Sequence, residues 1–309
     1  MKRTKRVVLI SSILTILFIE IILRLVVEPM SNGISFGARN KAFEKNNYIL
    51  DKNNFRNNNI NKDYKLLYLG DSFTFGQGLK IQDIFSNIIE NTYGVKGYNI
   101  GVRGTNTLDQ KIIYENHLTA QKKDFTLVYQ YYYNDIDYLD KKILSPKFDN
   151  DKLMTKTAKK FLIKLANNSY FFDFLISNLL IIYLKDKYLL EDTFDNTAYN
   201  QHLKDIKKVF EISKNKDVRT LFLIIPLLNS KEAIKFSQKN YINFLKQNFI
   251  RVCNKGDLLI DISTFFNENN YDKLIANVRD YHASSYVNQL IAKEIYSGFI
   301  NENFNADRC

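Results

Sequence analysis

The chain has 309 residues, of which 45% are apolar and 25% charged, with 23 Phe and 20 Tyr; that supply of core-forming side chains excludes a disordered protein. A net charge of +11 invites anionic partners, but no RNP-like stretch, Cys/His finger or aromatic-interleaved basic helix is present, so nucleic acid is not an expected partner. Cys253 and Cys309 form neither a metal-ligand spacing nor a CxxC, so no metal and no cofactor are expected, and one disulfide between them stays open for an oxidising compartment.

The N-terminus opens with Lys2, Arg3, Lys5 and Arg6, followed by the apolar run Val7 to Val27. As a helix that run measures roughly 30 Å, the thickness of a bilayer core. Basic residues before it place the N-terminus in the cytoplasm and the remainder outside. The main rival is a cleaved signal peptide; no convincing small-x-small cleavage site follows and the run is long for such a peptide's apolar region, so residues 1–27 read rather as an uncleaved signal anchor. Glu20 and Arg24 stand four apart on one helical face and can pair near the headgroups, past an apolar core that ends near Phe18.

Residues 28–63 are Asn-rich and aperiodic and read as a polar connection. From there the pattern alternates. KLLYLG, GYNIGV, DFTLVYQYYY, VRTLFLIIP and DLLIDIS read as strands, with helical periodicity in QDIFSNIIENTYG, TLDQKIIYENHLTA, EAIKFSQKNYINFLKQNF and SSYVNQLIAKEIYSGFI. Strand–helix alternation predicts an α/β domain over 64–309, a parallel sheet with helices on both faces. The rhythm breaks at about 141–200. That segment is apolar but interrupted by Lys164, Asn167, Asn168 and Asp173, which argues against a second span and for a helical insertion capping the loop end of the sheet.

The stretch YLGDSFTFGQG places Ser72 three residues past Leu69, at the carboxyl end of the first strand. Ligands of open parallel sheets bind at such ends. Gly70 allows a sharp turn and close backbone approach, and a following helix offers N–H groups to a developing negative charge. A serine nucleophile needs a base. His117 and His202 fall in predicted helices among polar neighbours and are expected at solvated positions. His282 precedes the last helix in a predicted loop, with Asp280 two residues before it to hold Nδ1–H. Gly104 follows the second strand and Asn134 the third, where a backbone amide and a side-chain amide can face the same oxyanion.

Together GDSFTFG, NIGVRG, YYNDI and RDYH resemble the four motif blocks of the SGNH (GDSL-like) hydrolases, from about Lys65 to Ile300. The resemblance implies a flavodoxin-like sheet and serine esterase, lipase or acyl-transfer chemistry. It implies Ser72 as nucleophile, with its own N–H in the oxyanion hole beside Gly104 and Asn134, His282 as base and Asp280 as its orienting carboxylate. The chain is most similar to membrane-anchored members associated with bacterial envelope polysaccharides. It departs from the family pattern in two places. Tyr132 stands where Gly is frequent, and the last block is D-x-H where D-x-x-H is frequent. No GxSxG elbow occurs.

The expectation is an extracytoplasmic serine esterase or O-acyltransferase acting on acyl, most simply acetyl, esters of envelope carbohydrate or a lipid-linked glycan. Two alternatives remain. One is a non-catalytic glycan-binding or assembly protein, in which Tyr129, Tyr131, Tyr132 and Tyr133 stack on sugars; the same tyrosines also fit alternating core and surface positions of a strand. The other is a lipase acting at its own membrane.

Overall fold

The run Leu66–Leu69 forms β1 of a computed structural model of the protein, which describes residues 2–31, 37–58, 63–118, 124–135, 156–184, 196–228, 230–266, 270, 273–277, 280–301 and 307–309. The chain divides into two compact units, residues 1–46 with 145–189, and residues 47–144 with 190–309.

The second unit is built on a sheet. Its strands β1, β2 (Gly97–Asn99), β3 (Thr126–Tyr131), β4 (Thr220–Ile224) and β5 (Leu258–Asp261) lie parallel in the order β2-β1-β3-β4-β5. This is the flavodoxin-like doubly wound order, whose switch point falls between β1 and β3. β1, β3, β4 and β5 were legible as apolar runs because a parallel strand is buried on both faces. β1 and β3 are buried at every position, and their side chains alternate between two cores. Leu67, Leu69, Leu127, Tyr129 and Tyr131 enter one, while Leu66, Tyr68 and Val128 enter the other.

Helix α4 (Phe85–Tyr93) and the last helix (Ser285–Ile300) cover the second core with Phe85, Ile89, Val287, Ile291 and Ile295. Helix α5 (Thr107–Leu118), helix Asn196–Asn215 and the helical region Lys231–Asn248 cover the first core with Tyr114, Ile206, Phe210, Tyr241 and Leu245. A two-residue strand, Asp307–Arg308, adds antiparallel to β5 and carries Cys309 to its disulfide with Cys253.

Two histidines expected in solvent are not there. His202 is 1% exposed and faces the Tyr131 ring at 5.4 Å, four residues before the core residue Ile206 and hence on the same helix face. His117 shares a 2.8 Å hydrogen bond with the Tyr64 hydroxyl and stacks on Tyr98. Polar neighbours in sequence concealed both positions, because a helix turns them to the opposite side. Burial pushes His202 down from its ordinary value of 6.5 to about 4, with Asp205 opposing. Between those values the unfolded chain holds a proton that the folded chain does not, so stability falls as pH drops through the window. The loss approaches about 3 kcal/mol below it. Urea titrations at pH 7 and pH 4.5 should therefore differ more for the natural protein than for His202→Leu.

In the first unit, α1 (Lys2–Val26) is long and apolar enough to cross a membrane. The segment read as a polar connection holds a further helix, α2 (Ala38–Asn47). Of the predicted insertion, α6 (Lys156–Asn168) and α7 (Tyr170–Leu184) are described and pack on each other, α7 also on α1. Both junctions of the insertion lie outside the described residues.

Candidate active site

Ser72 begins a four-residue helical turn, α3 (Ser72–Phe75), directly after β1. Asp71 caps it, its carboxylate accepting the Phe73 amide at 2.9 Å. From β3, the Gln130 Oε1 accepts the Asp71 amide at 3.2 Å and the Thr74 hydroxyl at 2.9 Å. Gly70 is needed for this arrangement, since a Cβ there would stand 2.4 Å from that same Gln130 oxygen. The turn is thus tied to a neighbouring strand, which aims Ser72 while leaving it 5% exposed.

Asp280 and His282 come from elsewhere. They lie on a short strand, Asp280–Ala283, that pairs antiparallel with Ile275–Asn277. The sequence pattern suggested a loop, because a four-residue strand is too short to show periodicity. Strand geometry explains the D-x-H spacing, for residues two apart point to one face. The Asp280 Oδ1 lies 2.5 Å from His282 Nδ1 and also accepts the His282 amide at 3.2 Å. His282 Nε2 lies 2.8 Å from the Ser72 hydroxyl, across 210 positions of sequence. Asp280 is fully buried, whereas the His282 side chain keeps 20% of its surface exposed. A hydroxyl, an imidazole that reaches it and a carboxylate bonded to the far side of the imidazole are therefore in contact, the arrangement that nucleophilic catalysis by serine requires.

The remaining predicted donors divide. Gly104 lies in the loop after β2, in a left-handed conformation with φ of 74° and open space above its Cα. Asn134 occupies a helical turn, Tyr133–Asp135, directly after β3; its side chain lies outside the described residues. Because β2 and β3 flank β1 in the sheet, the three loops carrying Ser72, Gly104 and Asn134 leave adjacent strands on one edge. The Asn134 turn is held from below, where buried Asp135 accepts the Tyr132 amide at 2.8 Å and the Gln110 side chain at 2.7 Å.

Tyr132, at the position where the motif pattern favours Gly, packs its ring on Phe73 at 4.2 Å, and Phe73 lies 4.9 Å from His282. Phe73 thus walls one side of the imidazole and is itself packed by Tyr132. Tyr129, Tyr131 and Tyr133 are 0–1% exposed and belong to the core, so no tyrosine platform for sugars forms from them.

Sequence reasoning missed the residues that brace the loop beyond Ser72. Arg56, from the Asn-rich segment, is fully buried and donates to the carbonyls of Phe75, Gly76, Leu79 and Asn47 at 2.5–3.2 Å. Its guanidinium also lies over the Tyr48 ring at 4.3 Å. Burial lowers its pKa to about 10, which leaves it cationic at neutral pH. Tyr48 in turn accepts the Gly78 amide at 2.9 Å. Gly78 has φ of 85°, and a Cβ there would stand 2.8 Å from the Asp280 carboxylate. Asn57 and Asn99 join in, with Asn99 donating to the Thr74 carbonyl and accepting from Gly101. One Arg in an Asn-rich run carries no periodic signal, so nothing in the sequence distinguished it.

Arg56→Leu should strip the buried carbonyls of Phe75 and Leu79 of their guanidinium donor, leave Gly76 only the Leu79 amide, and lower stability by about 3–5 kcal/mol. Urea denaturation followed by circular dichroism measures it.

The sequence matches no protein-family model, and no curated protein matches it. Among solved structures, the chain is similar to a lipolytic protein of the G-D-S-L family from Veillonella parvula (12% identity, TM-score 0.45, covering 77% of this chain and 98% of that one). It is also similar to a variant of an acetyl xylan esterase from Geobacillus stearothermophilus (15% identity, TM-score 0.45, covering 78% and 96%). A third is a psychrotrophic esterase from Pseudoalteromonas (11% identity, TM-score 0.42, covering 76% and 96%).

Proposed function

We propose that this chain is an SGNH-type serine esterase, anchored by α1 with the sheet domain outside the cytoplasm, that cleaves short acyl esters, acetyl above all, from carbohydrate. The observation that carries the reading is the hydrogen-bonded series Ser72–His282–Asp280, with Nε2 at 2.8 Å from the hydroxyl. In the reaction, Ser72 Oγ attacks the ester carbonyl carbon as its proton passes to His282 Nε2. The oxyanion receives hydrogen bonds from the N–H groups of Ser72 and Gly104 and from the Asn134 side chain. Collapse breaks the bond to the alcohol, which leaves with the proton from His282, and an acyl-serine remains. A water molecule, or a sugar hydroxyl in the transferase variant, then attacks the acyl-serine while His282 accepts its proton. The carboxylate leaves on one route and the new ester on the other, and Ser72 recovers its proton. Asp280 stabilises the imidazolium in both halves without being protonated.

Three features support the finer points. The Phe73 wall beside His282, packed by Tyr132, favours a short acyl group. The Cys253–Cys309 disulfide suits an oxidising compartment. The basic tip before α1 suits an N-terminus in the cytoplasm. Burial of Tyr129, Tyr131 and Tyr133 weakens the purely glycan-binding alternative.

Mass spectrometry of envelope glycans from cells with and without the protein tests the substrate. Acetyl groups should accumulate without it if water is the acceptor and diminish if a sugar hydroxyl is. Unchanged glycan acylation together with a preference for long-chain model esters would favour the lipase instead.

A further inference from the structure

Helix α7 is inside out. Among its described side chains, Asp173 and Ser177 are buried at 0% and 2% exposure beside Tyr170, whereas Phe174 and Leu175 are 43% and Leu179 58% exposed. A helix in water shows the reverse pattern. The buried polar groups are satisfied within the same unit. The Asp173 carboxylate accepts the backbone and side-chain N–H of buried Arg39 at 3.0 and 3.1 Å and the Ser177 hydroxyl at 2.9 Å. Asn178 donates to the Phe174 carbonyl of its own helix. Asp173, one of the polar residues that argue from sequence against a second span, points inward in the fold and is neutralised by Arg39.

The helix is also fastened to the anchor. Glu20 of α1 accepts the Ser169 hydroxyl and the amides of Tyr170 and Phe171, the first N–H groups of α7, at 2.8–3.0 Å. Arg24 pairs with Glu20 at 2.7 Å and lies over the Tyr170 ring at 4.8 Å. These two charges of the anchor thus dock a second helix. On α6, exposed Phe161 is flanked by exposed Lys160 and Lys164, a pattern suited to a boundary between acyl chains and anionic headgroups.

We infer that the exposed apolar face of α7, Phe174, Leu175 and Leu179, lies among the phospholipid acyl chains of the bilayer that α1 enters. With 15 residues, α7 measures about 22 Å and is too short to span. It sits in one leaflet beside the Glu20 end of α1. The inference rests on the anchoring part of the proposed function and on no part of its chemistry.

The protein contains no Trp, so single tryptophans report without background. Full-length Leu175→Trp, Leu179→Trp and Leu14→Trp are reconstituted in vesicles of phosphatidylcholine and phosphatidylglycerol, with plain or brominated acyl chains. Emission at 175 and 179 should fall in the brominated vesicles, as it does at 14. Equal emission in both vesicles at 175 and 179, with quenching at 14, would overturn the inference and leave the anchor intact; a covering protein copy would give this result. Silence at all three positions would overturn the anchor as well. Quenching at 175 or 179 alone supports lipid contact whichever way position 14 behaves.

Discussion

Ser72→Ala should lower kcat for p-nitrophenyl acetate by about 10⁴-fold or more while leaving the melting temperature unchanged. The hydroxyl is the atom that faces the base, and the hydrogen bond to His282 Nε2 is the one bond the side chain makes among the described residues. The backbone of its turn is held independently, by Asp71, Gln130 and the carbonyls that Arg56 gathers, so the alanine variant keeps the loop. Residual turnover would come from water acting in the site with only the oxyanion donors to help. A fluorophosphonate probe offers a second readout: it should label the natural protein and not the variant. Turnover retained in the purified variant would remove Ser72 from the mechanism, and silence of the natural protein towards probe and ester alike would favour the binding alternative.

Asp280→Asn should cost about 10³–10⁴-fold in kcat with little change in KM. An amide in that buried position supplies no negative charge for the imidazolium that forms when Ser72 gives up its proton. It can also present N–H to Nδ1, which selects the tautomer with its proton on Nε2 and leaves nothing to accept from the serine. The carboxylate is enclosed, with Asp280 fully buried and the Gly78 backbone close behind it, so no water replaces the lost charge. Fluorophosphonate labelling should slow in proportion to kcat, whereas a merely structural role would shift stability and leave labelling of the folded fraction unchanged. Activity within tenfold of the natural protein would show that Asp280 does not orient His282 (about 1.4 kcal/mol separates each decade).

Parts of this protein were readable from composition and order alone, for reasons that lie in single elements. A strand buried on two faces must be apolar throughout, so β1, β3, β4 and β5 announced themselves. Ser72, Gly104 and Asn134 each follow a strand, and in a parallel sheet all strand ends of one kind share an edge; their neighbourhood therefore followed once the alternation of strands and helices was recognised. Other parts were not readable. His202 and His117 looked solvated, since local polarity does not reveal which way a helix turns its faces. Asp280 and His282 looked like loop residues, since their strand exists only through pairing with Ile275–Asn277.

By itself the sequence determined the α/β class and the apolar N-terminal helix, and it offered Ser72, His282 and Asp280 as candidates, because burial pattern and residue chemistry are properties of each segment taken alone. Only the tertiary structure decided that the imidazole meets the hydroxyl over a separation of 210 residues, that a lone Arg56 gathers the serine loop, and that Glu20 fastens α7 to α1. Those are contacts between remote segments. A chain records the capacity of each side chain to make such a bond, but the partner is chosen by packing.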